Sequence, residues 1–214
     1  RDSDLVKKGT IYIQNAASWL PVLALDPQAG EEVLDVCAAP GGKTSHIAAL
    51  TGNKAIIVAN DNSRARLAKL KANLNRLDVT IAEYTLYDAT QLARRFAGRQ
   101  FDRILIDAPC SGEGLMNYTN DHDFSTWSVA HIKRLQQLQK RIITQSWQLL
   151  KSGGTMVYST CTMAPEENEA VIAYLLHQYP EARVMPIQIP LPNRTATVQE
   201  WNGRHFSPAI SDAI

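Results

Sequence analysis

Two of the three cysteines in this 214-residue sequence follow short apolar runs and sit among small and polar residues. They lie in Asp107-Ala-Pro-Cys110-Ser-Gly-Glu-Gly114 and in Ser159-Thr-Cys161-Thr162. A lone free cysteine is ordinarily a small buried hydrophobe. Two thiols at matching positions, one of them beside the carboxylate of Asp107, point instead to chemistry. The chemistry open to such thiols is nucleophilic, because a thiolate can attack an electrophile. The nucleophile must be partly ionised. The third thiol, Cys37, completes an odd, sparse set without a CxxC spacing, which argues against a disulfide framework or a zinc site and fits a reducing, cytoplasmic compartment.

Further groups follow other apolar runs. Asp35-Val-Cys37-Ala38-Ala39-Pro40-Gly41-Gly42-Lys43-Thr44 resembles a phosphate loop, but the pattern GxxxxGK[ST] would require glycine at position 37, where Cys37 stands. A GxGxxG fingerprint is also missing. What remains is a tight turn of small residues that lets a ligand approach the backbone. Asp61 is placed to accept hydrogen bonds from ribose hydroxyls, and Asp88 to reach an adenine amino group. Each taken singly reads equally well as a surface carboxylate or an N-cap. Together, in register with the glycine turn, they indicate an adenosine-containing ligand.

These groups need elements to hold them. Near-continuous apolar runs at Val33–Val36, Ala55–Ala59, Val79–Glu83, Arg103–Ile106 and Thr155–Tyr158 predict strands buried on both faces of a parallel sheet. Leu67, Leu70, Leu74 and Leu77 recur at helical spacing behind Ser63, a predicted N-cap. Ile132, Leu135, Leu138, Ile142 and Leu149 mark a longer helix, predicted to stop at Gly153-Gly154. Pro165 with Glu166, Glu167 and Glu169 reads as a helix first turn. Such alternation predicts a doubly wound α/β fold, whose ligands sit beyond the C-terminal ends of the strands. The three prolines Pro186, Pro190 and Pro192 make 185–199 an extended connection.

Lys and Arg total 22 against 21 Asp and Glu, a net charge of +1 that is not the footprint of a strong nucleic-acid binder. Lys133, Arg134, Lys140 and Arg141 cluster in one helical stretch, where a solvated face is the plainer reading. No apolar run is long enough to span a bilayer.

The segments DVCAAPGGKT (35–44), DAPCSGEG (107–114) and YSTCT with PEEN (158–162, 165–168) resemble the signature motifs of the NOL1/NOP2/Sun family of RNA cytosine-C5 methyltransferases. That family includes the bacterial Sun (RsmB-type) rRNA enzymes, and the resemblance runs from about Gly9 to at least Asn168. It implies the class I methyltransferase fold with S-adenosylmethionine as cofactor and RNA as substrate, rRNA ahead of tRNA. By similarity Cys37, Ala38, Ala39, Pro40, Gly41, Gly42 and Lys43 wrap the cofactor. Asp61 holds its ribose, Asp88 its adenine end, and Asp107 lies close to both cofactor and base. Cys161 matches the family nucleophile, and Cys110 the second cysteine, implicated in product release. Lys43 is expected to contact RNA or to cap its loop. Residues 1–30 are read as a strand/helix lead-in and 31–214 as the catalytic domain. Family members carry an RNA-binding segment before this domain and a GFF-containing strand after it, so both ends are read as truncated and RNA affinity as borrowed from elsewhere.

Cytosine C5 is too electron-poor to take a methyl group unaided, and addition of a thiolate at C6 activates it. A helix N-terminus after Cys161 is expected to favour the thiolate, with Glu166 and Glu167 opposing. The target base must be unstacked, and Tyr118, Phe124 and Trp127 are candidates to stack on bases or to pack under a loop. Two rivals share the fold: an N-directed methyltransferase, which needs no cysteine pair, and a non-catalytic RNA-binding subunit.

Overall fold

The computed structural model describes residues 3–116, 119, 127–189 and 197–213. They form two compact units. The first comprises Arg1–Asp107 with Gln145–Tyr158, the second Ala108–Thr144 with Ser159–Ile214.

The first unit is built on a parallel sheet. Its strands are β1 (Glu32–Asp35), β2 (Ile56–Asn60), β3 (Glu83–Thr85), β4 (Phe101–Asp107) and β5 (Leu150–Ser159), in the order β3-β2-β1-β4-β5. β1 pairs in parallel with β2, Val33 opposite Ile57, and with β4, Val33 opposite Arg103; β2 pairs in parallel with β3. β4 is flanked by β5 through Phe101 N–H to Leu149 C=O at one end (2.8 Å) and Ala108 N–H to Ser159 C=O at the other (2.8 Å). Strand order reverses between β1 and β4, which makes their C-terminal ends the crevice where such folds bind ligands.

Helices wind between the strands. The lead-in folds as α1 (Asp4–Lys7), a 3-10 turn (Ala16–Trp19) and α2 (Leu20–Leu25), with Pro21 in its first turn. Val22 and Leu25 from α2 and Ile47 and Ala48 from α3 (Gly42–Leu50) bury against Val33, Ile57 and Leu105. A second cluster joins Ala38, Ala39 and Ala59 to Leu67, Leu70 and Leu74 of α4 (Arg64–Arg76). Ser63 caps α4 as expected, its hydroxyl accepting from Arg66 N–H. Truncating one fully buried leucine of these clusters costs about 2–5 kcal/mol.

Three local expectations are corrected. The third strand begins at Glu83, not at Val79. Val79 N–H is used by Leu74 C=O and Thr80 N–H by Asn53 Oδ1, so the ladder starts only where Ala82 N–H reaches Ile57 C=O. The long helix, α6 (Val129–Trp147), ends before the glycines, which lie inside β5. Glycine is required at 154 because a Cβ there would meet Asp102 C=O at 2.8 Å. Pro165–Asn168 form turns, because Asn168 has a non-helical backbone (φ −116°, ψ −94°), and α7 (Glu169–Gln178) starts after it.

After α5 (Leu92–Arg95) and β4, the second unit carries α7 and a two-stranded ribbon, β6 (Glu200–Trp201) and β7 (Arg204–His205). Ala170, Phe206 and Ile210 form its apolar cluster. Among the described residues no helix is long and apolar enough to cross a membrane.

Candidate functional site

The turn from β1 into α3 is shaped by its glycines. Gly41 has φ +107°, a conformation that side chains rarely adopt, and a Cβ there would meet Leu70 Cδ1 at 2.9 Å. The turn lines a pocket of about 240 Å³ together with Tyr12, Gln14, Asp35 and Asp107. Of the residues expected to wrap a cofactor, Cys37, Ala38, Ala39, Pro40, Gly42 and Lys43 line this pocket, and Gly41 sits between them as the N-cap of α3.

The charged groups that line the pocket are Asp35, Asp107 and Lys43; Asp61 and Asp88, expected to hold ribose and adenine, are not among its lining residues. Asp35, at the end of β1, is 1% exposed. Its Oδ2 accepts from Thr44 Oγ1 at 2.7 Å, while its Oδ1 is buried with no hydrogen-bond partner. Burial, reinforced by Asp107, pushes its carboxyl up to about 7 against the pull of Thr44 and Lys43. Cys37 is pushed further up, first by burial and then by Asp35, Asp61 and Asp107, so this thiol stays neutral. Lys43 Nζ lies 2.7 Å from Asp107 Oδ2, which ties the loop to the end of β4. Asp61 is buried, 3.2 Å from Arg66, and its Oδ1 accepts from Ser63 N–H. Asp88 is exposed and caps the 3-10 turn Ala89–Gln91, its Oδ1 accepting from Thr90 N–H and Oγ1.

The second unit brings the other two cysteines together. Cys110 Sγ and Cys161 Sγ are 3.0 Å apart, and Cys161 N–H donates to Cys110 Sγ at 3.2 Å. Cys161 is exposed; Cys110 is partly buried. The hydrogen bond with Cys161, together with burial, raises the Cys110 thiol well above its ordinary value, so it keeps its proton. Two sets of bonds hold the Cys161 loop. Asn168 Nδ2 donates to Thr162 C=O and Ala164 C=O, and its Oδ1 accepts from Thr160 Oγ1 at 2.6 Å. Gly114 N–H donates to Cys161 C=O, and Ser111 Oγ lies 2.7 Å from Thr162 Oγ1. Because α7 begins only at Glu169, it does not place a helix N-terminus beside Cys161, and that expected source of thiolate stabilisation is absent. The indole N–H of Trp127 donates to Glu113 at 2.7 Å, and the residue is 42% exposed. Tyr118 and Phe124 lie outside the described residues.

The sequence gives no role to Asp35, to Tyr12 and Gln14, or to Gln139, and it reads Glu167 as a first-turn acid opposing the Cys161 thiolate; Gln139 and Glu167 are instead both buried beside the Cys110 loop. A carboxylate ending an apolar run was the available signal for Asp35. Among the described residues no group of three or more His, Cys, Asp and Glu side chains is placed to hold a metal ion.

Solved structures and sequences with the same fold are numerous. A methyltransferase homologue from Pyrococcus horikoshii is 35% identical, superposes with a TM-score of 0.83 and covers 98% of this chain and 64% of that one. NSun6 from the same organism, solved with SFG, is 32% identical at a TM-score of 0.81, over 91% of this chain and 48% of that one. These likenesses place the sheet among S-adenosylmethionine-dependent methyltransferases, a Rossmann-like class. A Pyrococcus abyssi tRNA (cytosine(49)-C(5))-methyltransferase is 41% identical over 96% of this chain. An Enterobacter ribosomal RNA small subunit methyltransferase F is 40% identical over 95% of it. The chain spans 65% of the length of the first and 43% of the second. With residues 22–212 matching the family model described as 16S rRNA methyltransferase RsmB/F, the chain belongs to the RsmB/F (NOL1/NOP2/Sun) family.

Proposed function

We propose that this chain is the catalytic part of an RNA methyltransferase that makes 5-methylcytosine through a cysteine-linked intermediate, with rRNA as substrate and residues 31–214 as the catalytic domain. The observation that carries the reading is the thiol pair: an exposed Cys161 in contact with a Cys110 that keeps its proton. An N-directed methyltransferase has no use for that pair. The name of the tRNA relative supports the reaction at cytosine C5, and the names of the two relatives divide between tRNA and rRNA. The family description favours rRNA. The cytoplasm is the compartment that suits three thiols.

The pocket fits S-adenosylmethionine. SFG, carried by the NSun6 structure, is an analogue of that cofactor. A ligand bearing ammonium and sulfonium charges suits the carboxylates of Asp35, Asp61 and Asp107 around Cys37. The unpartnered Asp35 Oδ1 is an acceptor without a donor, and an ammonium supplies one. The turn 37–43 wraps the ligand, and Asp61 and Asp88 take its ribose and adenine. When bound, the cofactor supplies an electrophilic methyl group.

The protein's part then follows. The Cys161 thiolate adds to C6 of an unstacked cytosine, and the electron pair of the C5–C6 bond becomes available at C5. Asp107 holds the Lys43 ammonium, whose positive charge offsets the negative charge that develops at N3. After C5 is methylated, its proton leaves to Cys110 while the Cys110 proton passes to the sulfur of Cys161. The C5–H pair re-forms the ring double bond, and the C6–S bond breaks with its electrons returning to Cys161.

The test is a covalent trap. Full-length protein with Cys110→Ala, mixed with cofactor and total RNA of the source organism, is expected to give a denaturant-stable protein–RNA adduct that vanishes when Cys161→Ala is added. Absence of an adduct while the cofactor still binds would sink the covalent reading.

A further inference from the structure

Cys110 is gripped from both sides of its own backbone. Gln139, on α6, donates from Nε2 to Pro109 C=O at 2.9 Å, and the same nitrogen donates to Glu167 Oε1 at 2.8 Å. Glu167 in turn accepts Ser111 N–H, at 3.1 Å through Oε1 and 3.3 Å through Oε2. The residues immediately before and after Cys110 are thus tied to one buried pair. Both members are deeply buried, Glu167 at 0% and Gln139 at 0% exposure. A buried carboxyl group is costly unless hydrogen-bonded, so these bonds are costly to break. Glu167 is itself fixed in the turn that follows Cys161, its N–H bonded to Ala164 C=O at 3.0 Å. Asn168 braces the Cys161 loop independently, through Thr160, Thr162 and Ala164.

We infer that Glu167, with Gln139, is a positioning residue for product release: it holds the Cys110 thiol against the sulfur of Cys161, and the addition of Cys161 to the base does not depend on it. The inference rests on the covalent reading above. Loosening the grip separates the two half-reactions. Addition and methylation continue, because the Cys161 loop keeps its Asn168 brace. Release slows, because the proton relay needs Cys110 in place. A displacement of about 1 Å can cost about 10²-fold in such a step.

The test compares full-length wild type, Glu167→Gln and Gln139→Met, with Cys110→Ala as reference. Each is given cofactor and either ordinary RNA or RNA containing 5-fluorocytidine, whose C5 fluorine cannot leave as a proton, so that any adduct is trapped. Wild type is expected to form a stable adduct only on the fluorinated RNA. Glu167→Gln, which places a donor where two donors converge, is expected to form it on both RNAs, with turnover down about 10²-fold and cofactor affinity within twofold of wild type. Gln139→Met is expected to show a weaker version, and it decides the matter if Glu167→Gln does not fold. Failure of wild type to react with fluorinated RNA would overturn the covalent reading itself. A variant that forms adducts on neither RNA, or only where wild type does, would overturn the role of Glu167 alone.

Discussion

Lys43 Nζ and Asp107 Oδ2 stand 2.7 Å apart, joining the turn after β1 to the last residue of β4 across the point where strand order reverses. Only 17% of the Lys43 side chain is exposed against 37% of Asp107, so the carboxylate is the more open member. Lys43→Met leaves Asp107 without this donor. Turnover is expected to fall by about 10²-fold, the usual cost of losing one charge-stabilising group. Steady-state kinetics with melting curves will check this, and the melting temperature should move by only a few degrees.

Asp35 is expected to make cofactor binding pH-dependent. Its carboxyl is raised to about 7, so below that pH it is neutral and a poor partner for an ammonium. Affinity for S-adenosylmethionine should therefore rise from pH 5.5 to 7, by up to about tenfold per unit, and level off above. Asp35→Asn should flatten the profile. Calorimetric titration across this range provides the measurement, and a flat wild-type profile would contradict the assignment.

The same group affects stability without ligand. Between the unfolded value of 3.8 and about 7 the folded protein retains a proton that the unfolded chain releases. Raising pH through that window therefore lowers stability, at about 1.4 kcal/mol per unit for this group. Denaturant titrations of wild type and Asp35→Asn at pH 5 and 8 should show a gap that widens in favour of the variant at the higher pH.

The three thiols should label in a fixed order. Cys161 is exposed, Cys110 keeps its proton through its contact with Cys161, and Cys37 is held neutral by burial and three carboxylates. Iodoacetamide followed by peptide mass mapping should modify Cys161 first and Cys37 last. Cys37→Ala should still form the covalent adduct on RNA containing 5-fluorocytidine, which separates the cofactor-lining thiol from the reacting pair.

The central strands were legible in the sequence because their apolar runs are local, and Ser63 capped its helix as read. The small-residue turn was legible because its composition is local, although the side chains that demand glycine at 41 are Leu70 and Leu74 of α4. The start of β3 was not, since Thr80 spends its amide on Asn53, 27 residues away. Glu167 looked like one acid in a helix first turn. Its burial depends on Gln139 and Ser111, 28 and 56 residues distant, and no local pattern reports that. Asp35 is similar in part: Thr44, nine residues on, is near, but Asp107 comes from β4.

The pairing of β1 with β4, Val33 opposite Arg103 and Val36 N–H bonded to Leu105 C=O, also orders events during synthesis. The turn at 37–43 emerges from the ribosome before Asp107, and the wall that Asp107 supplies arrives only after all of α4 and β3 have been made. Contacts of such wide sequence separation form slowly. A nascent chain carrying the signature turn is therefore still unable to hold its nucleoside ligand, and competence begins abruptly, once β4 has slotted in beside β1.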